Sequence, residues 1–275
     1  MENKQPKDKK KEQNIREIQS DYTENELKKF IAEDTKKGKL EWLYKEYYVS
    51  HKRKPIKDNK NIKIYDYIAK QLLELDDNLE DYFKENISEI DREKRLKDKN
   101  KIYTPIDHNI KEEKEKAEAQ KKDALSQNKP FDEEPLAKTL LEEEFDYIGK
   151  IINYQIPIND EQDDGAGRID LLAYNEDKKI ISLIELKKRE NKETILRAIL
   201  EICTYYYQIK KDVLVKEYTN LSLSEIEIWK VVLIYKDSKQ HEDFINSENI
   251  RTLARRLNIK ILLLDNNNNI TPLAL

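Results

Sequence analysis

The apolar side chains of this chain are unevenly distributed, and that distribution limits what it can fold into more than any other feature. After Leu136 they gather into short runs: IGKIINYQIPI, IDLLAY, IISLIEL, ILRAILEICTYYYQI, WKVVLIY and IKILLLD. Strand-length runs bounded by polar turns, interleaved with longer stretches at helical spacing, predict an α/β fold with a mixed sheet and helices on both sides. Before Leu136, short apolar stripes sit among Lys, Glu and Asp. Hydrophobic residues make up 37% of the chain and charged residues 39%, so a core has to be concentrated in the second half.

The order of elements is legible from that half. A helix is predicted from about Leu136 to Tyr147, with Asp132 as a candidate cap and Pro135 in the first turn. Strands follow at Ile151 to Ile158, Arg168 to Tyr174 and Ile180 to Lys187, the last two joined by the turn NEDKK. A long helix from about Glu193 to Ile209 leads to a strand at Glu227 to Tyr235. A helix from Glu242 to Leu257 and a strand at Ile259 to Leu264 complete the αβββαβαβ order. Residues 1–20 read as a disordered basic tail, 21–110 as a mainly helical N-terminal region, 111–131 as a charged linker that could form a solvated helix, and 132–275 as the α/β domain.

Charge and targeting exclude some function classes. The net charge is −4, which gives no global attraction to nucleic acid, so any grip on DNA has to be local. The lone Cys203 excludes an intramolecular disulfide. The N-terminus has no apolar stretch of a signal peptide, and the apolar runs are too short for a membrane span. A cytoplasmic protein is expected.

Glu185-Leu-Lys187 is the focus of the chemistry. The tripeptide E-x-K recurs in this chain, beginning also at Glu2, Glu26, Glu112, Glu176 and Glu190. At Glu185 alone it closes an apolar strand, so a carboxylate and an ammonium project from one face at the rim of a buried sheet. By itself this could be a surface ion pair. Asp170 interrupts the apolar strand Ile169 to Ala173, where a carboxylate requires a partner or a metal. Pairing around NEDKK brings Asp170 toward Glu185, and two oxygen ligands beside a lysine suit a hard divalent cation and a proton carrier.

Other candidates surround this trio. Glu144 falls within the apolar arc of the predicted 136–147 helix, where it could pair with a buried cation or reach a metal. On the 193–209 helix, Arg197, Glu201, Thr204 and Gln208, with Tyr205 at the edge, form a polar stripe, either solvated or lining a substrate groove. Gly165 and Gly167, two of only four glycines, flank Ala166 ahead of GRID. Tyr44, Lys45, Tyr47, Tyr48, His51, Lys52, Arg53 and Lys54 mix basic and aromatic residues, as a DNA-contacting segment does, although the tyrosines could equally pack a helical core.

The stretch GRIDLLAYNEDKKIISLIELKKRE resembles the PD-(D/E)XK nuclease superfamily, most closely its NucS-like and RecB-like members. The resemblance spans roughly residues 132 to 265 and implies a restriction-endonuclease-like αβββαβ core. It implies that Asp170 and Glu185 bind Mg²⁺, with Mn²⁺ as the alternative, together with the backbone carbonyl of Leu186. Lys187 would assist the attacking water and Glu144 would be an auxiliary ligand. RecB-like members often carry Gln and Tyr four apart on the next helix; here Glu201 and Tyr205 meet that spacing. The expected activity is hydrolysis of DNA phosphodiesters in restriction, repair or recombination, with DNA and a second copy of the chain as partners. The alternatives are an inactive nucleic-acid-binding or protein-interaction module that keeps the fold, and an interaction protein acting through its charged N-terminus.

Overall fold

The computed structural model describes residues 23–35, 53, 55–57, 59–75, 79–85, 109–127, 129, 131–158 and 167–273. The described N-terminal part contains helices α1 (Glu24–Thr35), α2 (Ile64–Leu73), α3 (Leu79–Glu85) and α4 (Ile110–Ser126). Then come α5 (Glu133–Thr139), β1 (Glu144–Phe145), β2 (Gly149–Pro157), β3 (Arg168–Asn175) and β4 (Ile180–Lys187). Helices α6 (Ile195–Gln208) and α7 (Lys211–Tyr218) lead to β5 (Glu227–Tyr235). The chain continues through α8 (Lys239–Asn246), α9 (Glu248–Arg256), β6 (Ile259–Leu264) and β7 (Ile270–Pro272).

The seven strands form one mixed sheet in sequential order. Strands β1 to β4 are antiparallel neighbours, β4, β5 and β6 are parallel, and β7 closes antiparallel. A parallel β4–β5 pair needs a long crossover, and α6 with α7 provides it. Every residue of β4 is buried, which is why its sequence reads as a continuous apolar run rather than an alternating one.

Two apolar cores cover the two faces. On one, α6 packs over Ile181, Leu183, Leu172, Val232 and Ile234, and the same core takes in Phe244, Leu253, Ile68, Leu72 and Phe83. On the other, Leu136, Leu140 and Leu141 pack on Leu171, Ile184, Leu186, Val231 and Leu233. Helices α1, α2 and α3 therefore share a core with the sheet.

Three expectations are corrected here. The segment expected to be a charged linker or solvated helix is the helix α4, docked on α5. Its charges pair with its neighbour: Glu113 meets Lys138 at 2.8 Å, Lys114 donates to the Leu141 carbonyl, and Ala117 is small enough to be buried at the contact. The helix expected to run to Tyr147 stops at Thr139. Glu142 adopts φ 63°, and the chain turns back so that Glu142 and Glu143 exchange backbone hydrogen bonds with Ile151. The single helix expected from Glu242 to Leu257 is two, because the Ser247 hydroxyl accepts from the Ile250 amide and starts a new helix.

Candidate active site at the rim of the sheet

The β3–β4 hairpin builds the site from local pairing. Leu172 faces Leu183 and Leu171 faces Ile184, and the same register carried one residue further sets Asp170 opposite Glu185. Alternation then puts Asp170 on the side of Leu172, and Glu185 and Lys187 on the side of Leu183, all beneath α6. Asp170 also faces Gln155 across β2, since Tyr154 pairs with Leu171 and Ile156 with Ile169. Gln155 holds φ 51°, an unfavourable angle for a side-chain-bearing residue, and its amide donates to Asp170 Oδ1 at 3.2 Å. Asp170 Oδ2 accepts from the Leu186 amide at 2.8 Å.

Lys187 lies among carboxylates, with Nζ 2.6 Å from Glu185, 3.1 Å from Glu193 and 3.4 Å from Glu201. Glu193 and Glu201 also face Arg197, at 3.1 and 3.7 Å. From α5, the Glu133 carboxylate accepts from the Lys188 amide at 3.0 Å and from the Asn191 side chain. The carboxyls of Glu133, Asp170, Glu185, Glu193 and Glu201 thus outnumber the cations Lys187 and Arg197.

Burial governs protonation here, and the neighbouring carboxyls add to it. Burial pushes the Asp170 carboxyl up to about 7, against the opposing pull of Lys187 and the Leu186 amide. Burial, then Asp170 and Glu201, raise Glu185 well above the usual carboxylate range. Burial works against the Lys187 ammonium, but Glu185, Glu201, Glu193 and Glu133 outweigh it, so Lys187 stays charged. Glu201 is held below its ordinary value because Lys187, Arg197 and the Tyr205 hydroxyl overcome its burial.

Of the residues expected at the site, Asp170, Glu185, Lys187 and the Leu186 backbone come together. Glu144 does not: it lies exposed in the β1 hairpin, because the helix that would have turned it inward ends before it. Glu133, in the first turn of α5, is the helix carboxylate that reaches the cluster. Its signal was the helix start at FDEEP, directly beside the sheet rim. Asp132, expected to cap that helix, makes no side-chain cap and pairs with Lys188 instead. The polar stripe on α6 turns inward: Glu201, Thr204, Tyr205 and Gln208 are all buried.

The expected DNA contacts fare differently. Tyr205 is 4% exposed, and its hydroxyl donates to Glu201 Oε1 at 2.9 Å, so it supports the cluster rather than presenting a ring to a base. Gly167 has φ 87°, and a β-carbon there would come within 2.6 Å of the Tyr205 hydroxyl, so only glycine fits. Arg53 is committed to protein acceptors: the Asp243 carboxylate and the carbonyls of Lys192 and Glu193. Tyr44, Lys45, Tyr47, Tyr48, His51, Lys52, Lys54, Gly165 and Ala166 lie outside the described residues.

Among the described residues, no group of three or more His, Cys, Asp or Glu side chains is arranged as a metal cage. Mg²⁺ does not require one, since it is commonly held by one or two carboxylates with water and substrate phosphate. Asp170, Glu185 and the Leu186 carbonyl offer oxygen donors only, and the excess of carboxyls over cations around them suits a hard cation. Also among the described residues, no helix is long and apolar enough to cross a membrane. Comparisons with protein-family models, with curated proteins and with solved structures found no match to this chain.

Proposed function

We propose that this protein is a Mg²⁺-dependent deoxyribonuclease with a restriction-endonuclease-like αβββαβ core of the PD-(D/E)XK type. The observation that carries the reading is the meeting of Asp170, Glu185 and Lys187 at one sheet rim, with carboxyls in excess of cations. The element order α5, β2, β3, β4, α6, β5 supports the fold assignment. Asp170 and Glu185 would hold the metal, with the Leu186 carbonyl beside them and Mn²⁺ as a substitute. A bound divalent cation would supply Lewis-acid stabilisation of the charge that builds on the scissile phosphate. Lys187 orients the attacking water or neutralises that charge, while Glu193 and Glu201 hold its ammonium in place. Gln155 orients the Asp170 carboxylate, and Tyr205 orients the Glu201 carboxylate that holds Lys187.

The second reading, an inactive binding module with the same fold, is favoured by the contact between Lys187 and Glu185, which already supplies a cation to one of the two ligands. Cleavage of supercoiled and single-stranded DNA by the full chain, with Mg²⁺ and with EDTA, separates the two. Cleavage with Mg²⁺ alone is expected; DNA binding without cleavage under either condition would favour the module.

A further inference from the structure

We propose that Arg53 is a positioning residue for this site: from the N-terminal region it clasps the loop after Lys187 and, through Glu193, fixes the Lys187 ammonium. Its effect on turnover rests on the nuclease reading, but the clasp itself does not.

The guanidinium engages one carboxylate and two backbone carbonyls. Nε donates to Asp243 Oδ1 at 3.0 Å, and Nη2 lies 2.8 Å from Oδ2. Nη1 donates to the Lys192 carbonyl and Nη2 to the Glu193 carbonyl, both at 2.8 Å. Asp243, on α8, is 1% exposed, so it needs this counter-charge. Gln240 on the same helix adds donors to the carbonyls of Asn191 at 3.0 Å and Glu193 at 2.7 Å. The Glu193 carbonyl therefore receives two donors that together fix its backbone. Its carboxylate holds Lys187 through Oε2 and Arg197 through Oε1. At the other end of the loop, Glu133 holds Lys188 and Asn191. The segment between β4 and α6 is pinned at both ends, and one pin comes from a residue 140 positions earlier in the chain.

Lysine keeps the charge of arginine but cannot form the fork and reach two carbonyls at once. In the full chain, Arg53→Lys should speed amide hydrogen exchange across residues 188–194 by about tenfold or more while β3 and β5 exchange as in the parent. Peptide mapping after acetylation should find Lys187 modified faster. With Mg²⁺ and a DNA substrate, kcat should fall about tenfold with KM within about twofold, the mark of a displaced catalytic group rather than a lost DNA contact. Because Arg53 acts through Glu193, the double variant Arg53→Lys with Glu193→Gln should be no slower than Glu193→Gln alone. A raised KM at constant kcat, multiplicative losses in the double variant, or parent-like exchange and acetylation would each overturn the proposal. If the parent cleaves no DNA, the nuclease reading falls by itself and exchange and acetylation still decide the clasp. If Arg53→Lys does not fold, the paired change Arg53→Gln with Asp243→Asn removes the guanidinium together with its buried counter-charge and should give the same signature; parent-like behaviour there would equally overturn it.

Discussion

Along β4, Ile181 and Leu183 project from the same face of the sheet as Glu185 and Lys187, and all four are buried, yet they meet opposite surroundings. The first pair packs beneath α6 in a continuous apolar core, where burial is favourable for every atom. The second pair stands among carboxyls, where burial raises both Asp170 and Glu185 above their ordinary range. Such charge burial costs free energy that only the rest of the fold can offset. The apolar half of the strand thus stabilises a polar half that would not assemble alone, and substitutions in the two halves should have opposite signatures.

Leu183→Ala should have the largest effect on the fold, costing about 2–5 kcal/mol for a buried leucine. Denaturant titration would read that loss, while cleavage per folded molecule stays near the parent value. A selective loss of cleavage with stability intact would erase the division between the halves. Lys187→Ala should act the other way, lowering turnover by roughly a hundredfold, equivalent to about 2.7 kcal/mol, with metal binding retained. Near-parent turnover would remove the lysine from catalysis.

Asp170→Asn should stabilise the metal-free protein at neutral pH by up to a few kcal/mol while ending cleavage. The sign follows from linkage. An acid whose folded-state pKa lies above its unfolded value binds protons more readily in the fold, so stability falls as pH rises from the ordinary carboxyl range through about 7. Melting curves in EDTA from pH 4.5 to 8 should show the variant gaining on the parent across that window, and parallel curves would contradict it. Glu144→Ala should do least, changing stability by no more than about 0.5 kcal/mol and leaving cleavage unaltered, because the side chain is exposed. A marked loss of cleavage would return Glu144 to the site.

The hairpin half of the site was legible in the sequence because its geometry is local. Strand limits at Arg168, Ile180 and Lys187 follow from apolar runs closed by a short turn, and alternation does the rest. The helix carboxylate was misplaced because periodicity carries a helix forward until something stops it. At Glu142 the stop is a left-handed backbone angle on an ordinary residue, with no glycine or proline to announce it. Arg53 looked like a phosphate contact because its neighbours are basic, and its true acceptors lie 139 to 190 residues away. For α4, a nearly all-polar sequence concealed docking by ion pairs around the buried Ala117.

If Asp170 and Glu185 together hold a divalent cation, calorimetric titration of Mg²⁺ and Mn²⁺ into the parent, Asp170→Asn and Glu185→Gln will register it. The parent should bind saturably and both variants should lose that binding while remaining folded by circular dichroism. Binding of parent strength in either variant would contradict a shared site.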